Sequence, residues 1–237
     1  MASRGTVEGL GIDHGCCDGH HWWFRLPGVF LVALAALLVA CGAPEYTYVT
    51  NSKDRTYLRV PVSWQEIDQR ALDAALGIDP TVSSEEQGVW MRGFDADPAP
   101  SPSHLFGPNA AAPAAFVTVQ QIPEPMRGEI SFDRLRDLFY PASPSSRQLV
   151  AAFGEYSEFT LISDEVLTPG NGVRGVHTVF RYRRGDDPAQ IVNQVAYIND
   201  DASTVYAFFV RCSSECYEQR KKEIEAVVSS YTVRGNR

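Results

Sequence analysis

The chain has 237 residues, 44% hydrophobic and 21% charged, and 29 acidic against 21 basic residues leave a net charge of −8. That composition suits a globular protein long enough to bury a sizeable core without staples. The acidic balance argues against a nucleic-acid partner and against a polybasic grip on anionic lipid.

The chain opens on Met1–Arg25, where Glu8, Asp13 and Asp18 stand against Arg4 and Arg25. Such a stretch is a poor positive n-region for a signal peptide, so a start site chosen too far upstream is expected. His14, Cys16, Cys17, His20 and His21 suggest a metal cluster. No ligand pair follows at zinc-finger spacing, and no metal site or cofactor is expected in the chain.

The uncharged run Leu26–Ala40 ends at Leu38-Val39-Ala40-Cys41. It is shorter than the roughly twenty residues of a spanning helix and fits an apolar signal-peptide core before small residues. Its end resembles a bacterial lipobox, which implies cleavage after Ala40 and lipidation of the Cys41 thiol. The alternative is an uncleaved anchor with Trp22, Trp23 and Phe24 at the interface. The expected organisation is a signal peptide over 1–40, a lipidated Cys41 with a short tether over 41–45, and one domain over 46–237. The expected location is the extracytoplasmic face of the cell membrane, anchored by lipid. No Ser/Gly/Pro-rich spacer follows Cys41, so the domain is expected close to the bilayer.

Tyr46–Thr50 and Thr56–Val60 read as strands joined by the turn residues Asn51–Asp54. Pro61 ends the second, and Ser63 is placed to cap a helix through Ile67, Ala71, Leu72, Ala75 and Leu76 that Gly77 stops. Val89–Phe94 is a strand. Asp95–Ala115 carries Pro98, Pro100, Pro102, Pro108 and Pro113 and is expected to be a disordered loop. Phe116–Ile122 is the next strand. Ser131 caps a helix through Phe132, Leu135, Leu138 and Phe139, and Ser146–Phe153 reads as a second short one.

Four strands then follow, at Glu158–Val166, Val173–Arg183, Gln190–Ile198 and Thr204–Arg211, with short polar joints that predict an antiparallel meander. Val205–Val210 is apolar on both alternating faces, as in a strand covered on both sides. The last element is a helix with Tyr217, Ile224, Val227, Val228 and Tyr231 on one face and a Glu218–Lys222 pair on the other.

Val60-Pro61-Val62-Ser63-Trp64 after a strand pair, the long meander, Tyr206 in a strand before the last helix, and the terminal Ser230-Tyr231-Thr232-Val233 together carry a family likeness. This order resembles the PsbP/Mog1-like domains, including the LpqN-type lipoproteins of actinobacteria. The resemblance implies an α+β fold, a central antiparallel sheet flanked by helices in an α/β/α sandwich. It implies a binding or assembly role and supplies no catalytic residues, and fold alone does not set function.

Gly170-Asn171-Gly172-Val173-Arg174-Gly175 matches the dinucleotide-binding G-x-G-x-x-G, but a β-rich run follows where a helix is required. A hairpin turn is the expectation. Cys212 and Cys216 lie across a strand–helix bend in a chain expected to be exported, where thiols oxidise. A disulfide is expected, with free thiols or a metal pair as the alternatives. His104 and His177 have no nucleophile and orienter at recognisable spacing, and both are expected to be structural or solvent-facing. Arg174, His177, Arg181, Arg183, Arg184 and Arg211 suggest a basic patch for an anionic ligand or partner. Glu165, Asp186 and Asp187 nearby favour a neutralised sheet edge instead.

These readings lead to a non-catalytic lipoprotein that binds or assembles a membrane-proximal protein or lipid. The alternative is a lipid or small-molecule carrier. An apolar cavity of roughly 300–1,000 Å³ would favour the carrier, and a filled core with an exposed apolar patch would favour partner binding.

Overall fold

Strand alternation explains the architecture, and a computed structural model describes it for residues 45–79, 81–82, 84, 86–108, 111–153 and 156–234. The signal segment, the Cys/His tract and Cys41 lie outside the described residues. In chain order the strands are β1 (Tyr46–Asn51), β2 (Thr56–Pro61), β3 (Gln65–Glu66), β4 (Val89–Asp95), β5 (Ala114–Gln121), β6 (Tyr156–Gly170), β7 (Val173–Arg184), β8 (Gln190–Asn199), β9 (Thr204–Ser213) and β10 (Thr232–Val233). The α-helices are α1 (Gln69–Ala75), α2 (Pro102–Phe106), α3 (Phe132–Arg136), α4 (Pro144–Phe153) and α5 (Ser214–Ser229).

Seven strands form one antiparallel sheet in the order β3-β4-β5-β9-β8-β7-β6, and β1-β2-β10 form a second, small sheet. The expected α/β/α sandwich is what the two faces of β9 make. Tyr206, Phe208, Val210 and Cys212 join one core with Tyr217, Ile224, Val227 and Val228 of α5. Phe209 points to the opposite core, with Leu72 of α1 and Leu105 of α2, while Val205 and Ala207 meet Leu135 of α3. Strand side chains alternate between faces, and helices cover both, so β9 is buried along nearly its whole length, as its continuous apolar run predicts.

Three segments depart from the sequence reading. The first helix begins later than expected and is capped by Asp68, which accepts from the Ala71 N–H at 3.0 Å, not by Ser63. Gln65 and Glu66 instead pair with Asp95 and Phe94 as a short edge strand, and Trp64 is buried in the α5-side core. The exposed i,i+4 pair of α5 is Lys221–Glu225 at 3.7 Å rather than Glu218–Lys222.

The third departure is the Pro/Ala segment. It is organised, not a disordered loop, over its described residues. Ser101 caps α2, Leu105 is fully buried, and Asp95 draws the segment in. Asp95 has no exposed surface and accepts from the backbone N–H groups of Asp97 and Ser101 at 2.9 and 3.0 Å. Burying Leu105 contributes about 1.5–3 kcal/mol, enough to anchor a proline-rich segment whose backbone has little entropy to lose.

Candidate functional site

Among the clefts that the described residues line, two lie on opposite faces of the meander. The first lies between α4 and the β6–β7 edge. Asp137 sets the position of α4: its carboxylate accepts from the N–H groups of Ala142 and Ser143 at 2.9 and 2.7 Å and from the Ser143 and Ser146 hydroxyls at 2.7 and 2.6 Å. A helix N-terminus has orphan N–H groups, and a carboxylate there is stabilising. The cleft so held has a volume of about 390 Å³. Its walls are largely apolar and aromatic, with Tyr140, Val150, Ala151, Tyr156, Phe159 and Phe180 among them. Phe159 stacks on Phe180 with centroids 5.4 Å apart, and Tyr182 sits 5.0 Å from Tyr140.

The rim is charged. Arg147 of α4 lies 4.4 Å over the Phe159 ring. Glu158 sits at a β6 bulge in the left-handed region, with φ +52°, a conformation uncommon for a non-glycine residue. Arg183 and Arg181 clamp its carboxylate at 2.8 and 3.1 Å. The Arg183 bond first, then the charges of both arginines, outweigh burial and hold Glu158 below the usual carboxylate range.

Arg211, 1% exposed, is bonded to Tyr140 of the cleft lining. It donates to the carbonyls of Leu105 and Gly107 at 2.9 and 2.7 Å and to the Tyr140 hydroxyl at 3.1 Å. Among the described residues no carboxylate bonds to it, and its Nε has no partner. Arginine is rarely buried unless paired. Burial pushes the nearby Tyr182 hydroxyl well above the usual phenol range, with Tyr140 adding and Arg211 opposing.

The second cleft, of about 460 Å³, lies on the opposite face under α5 and is lined by Ile162, Leu167, His177, Asn193, Tyr217 and Tyr231 among others. His177 bonds through Nε2 to the Asn193 amide oxygen at 2.8 Å, and the amide nitrogen donates to the Tyr217 hydroxyl at 3.3 Å. Tyr231 is buried, its hydroxyl is without a partner among the described residues, and burial raises its pKa well above the ordinary value.

The residues singled out in the sequence therefore fall apart in space. His104 binds Asp95 through Nδ1 at 2.6 Å and serves the Pro/Ala segment, while His177 serves the second cleft. Arg181 and Arg183 hold Glu158, and Arg211 is interior rather than part of a surface patch. Gly170-Asn171-Gly172 is the β6–β7 turn, all three at positive φ of 78°, 59° and 74°, with strand β7 following. Such a turn needs glycine for that conformation. The Cys212 and Cys216 sulfur atoms lie within bonding distance, with Cα atoms 5.9 Å apart. No group of three or more His, Cys, Asp or Glu side chains among the described residues is arranged to hold a metal ion. No described helix is long and apolar enough to cross a membrane. Arg211 as an interior residue escaped the sequence reading. Its signal was there: it shares the parity of Ala207 and Phe209, so alternation aims it at the core.

No protein-family model and no curated protein sequence matches the chain. Solved structures do. Cyanobacterial PsbP (CyanoP) from Synechocystis is 15% identical over 82% of this chain and 95% of that one, with a TM-score of 0.47. The Ran-binding protein Mog1p of Saccharomyces cerevisiae is 8% identical over 81% and 97%, with a TM-score of 0.40. LpqN of Mycobacterium tuberculosis, described as involved in cell envelope biogenesis, is 13% identical over 80% and 90%, with a TM-score of 0.41. At these identities and scores the likeness carries nothing about what this chain binds.

Proposed function

We propose that this protein is a non-catalytic lipoprotein, tethered through Cys41 to the outer face of the cytoplasmic membrane, that holds a small apolar or amphipathic molecule in the α4–β6–β7 cleft. The observation that carries the binding role is the cleft itself, about 390 Å³ with largely apolar, aromatic walls. That volume lies within the range of ligand sites, and such walls with a few polar groups at the rim are their usual character. The tether rests on the sequence of Leu38–Cys41. The non-catalytic reading is supported by the two histidines among the described residues, His104 and His177, each tied to a structural partner, Asp95 or Asn193.

A second reading, protein-partner binding, is favoured by the edge strand β6. Leu161, Ile162 and Val166 are 44%, 53% and 52% exposed there. The test is purification of the full-length protein from membranes in mild detergent, solvent extraction and mass spectrometry of what is released. A small molecule recovered with the wild type and lost from Ala151→Trp, which fills the cleft, is the expected result. Equal recovery from both proteins, or none from either, rejects the cleft as the binding site.

A further inference from the structure

Resting on the cleft reading above, we infer that the ligand is an anion: an apolar body bearing one carboxylate, sulfonate or phosphate group, its charge at the Arg147 rim and toward the Tyr140–Arg211 pair.

Among the described residues the guanidinium groups around the cleft, Arg147, Arg181 and Arg183, outnumber its lining carboxylate, although the chain as a whole is acidic. Arg147 lies on the wall, stacked on Phe159. Among the described residues the one carboxylate lining that cleft, Glu158, is already held by two arginines, Arg181 and Arg183. Arg211 donates to the hydroxyl of Tyr140, which lines the cleft, and among the described residues it is bonded only to neutral oxygens. A buried guanidinium without a counter-ion is costly, and its field is weakly screened by the surrounding protein. A negative group entering the cleft would offset that cost, whereas a neutral ligand would leave it in place. The apolar walls contribute to binding for any hydrophobic body, so charge is what discriminates among ligands here.

Two dyes that differ by one anionic group test this directly. Anilinonaphthalene sulfonate and N-phenylnaphthylamine share a skeleton, and only the first carries a sulfonate. Fluorescence titration of the folded wild type at low salt should show the sulfonate binding tighter by roughly three- to tenfold, the scale of one half-buried ion pair. Added salt should shrink that preference. Arg147→Ala should reduce the ratio of the two affinities, because it weakens binding of the sulfonate more than binding of the neutral dye. Arg211→Met should also reduce it, and Arg211→Lys should retain it. If Arg211→Met does not fold, Arg147→Ala and the salt series decide. Ala151→Trp should abolish binding of both dyes.

Equal affinity for the two dyes in the wild type overturns the anion inference and leaves the cleft reading standing. A preference unchanged by Arg147→Ala and by salt overturns it too. Failure of both dyes to bind, or binding untouched by Ala151→Trp, overturns the cleft reading itself.

Discussion

His104 Nδ1 lies 2.6 Å from Oδ2 of Asp95, a carboxylate with no exposed surface at the end of β4. The same carboxylate accepts the Asp97 and Ser101 N–H groups, so one buried side chain holds both ends of the turn that leads into α2. Leu105 of that helix supplies a carbonyl to Arg211. The proline-rich segment is thus linked through Arg211 to Tyr140 of the cleft lining.

His104→Ala should lower stability by about 1–3 kcal/mol, the cost of leaving a buried acceptor short of a partner. Urea unfolding followed by tryptophan fluorescence measures it, and limited proteolysis should show new cutting within 96–108. A variant as stable and as protease-resistant as the wild type would mean the contact is incidental.

Glu223 ties the Pro-x-x-Trp motif to the last helix. Its carboxylate accepts from Trp64 Nε1 at 2.7 Å and from Arg220 at 2.8 and 2.6 Å. Burial opposes its ionisation, but the Arg220 and Trp64 bonds outweigh burial and hold its pKa below the ordinary value. A depressed folded-state pKa stabilises above the unfolded value, about 4.3, and that stabilisation is lost as pH falls through the folded value. Glu223→Gln should therefore be less stable than the wild type at neutral pH, with the difference shrinking as pH drops below about 4. Urea midpoints over a pH series give the comparison, and a constant difference down to acid pH would contradict the linkage.

The Cys212–Cys216 pair closes a very small loop, so the chain-entropy contribution of a disulfide there is only about 2 kcal/mol. Mass spectrometry of the non-reduced protein should give a peptide two hydrogen atoms lighter than after reduction. Reduction should leave the protein folded with a lower melting temperature. Alkylation of both thiols without reductant would show that they are free.

Cys41→Ser should abolish metabolic acyl labelling and leave the precursor unprocessed or shed into the medium. Labelling that persists in this variant would place the anchor elsewhere.

Much of the framework was legible because its signals are local. Alternation in β5 and β7–β9 and the apolar face of α5 follow from residues a few positions apart, and those elements stand within a few residues of their expected places. Ser63 was misread as a helix cap because cap chemistry is shared by turns. Its neighbours Gln65 and Glu66 gained strand partners about thirty residues away, at Asp95 and Phe94. The Pro/Ala segment was misread because composition reports backbone preference but not the burial of Leu105 or the grip of Asp95.

By itself the sequence determined the antiparallel meander, the two-sided burial of β9 and the turn at Gly170–Gly172, since each depends on side-chain period or on φ at a single residue. Only the tertiary structure decided the cleft. Tyr140, Phe159, Phe180 and Arg211 come from a loop and three strands, and nothing local says that α4 will close over β6 and β7 with a buried guanidinium bonded to Tyr140. Whether a buried charge is paired depends on what the whole fold brings to it, which no run of neighbouring residues encodes.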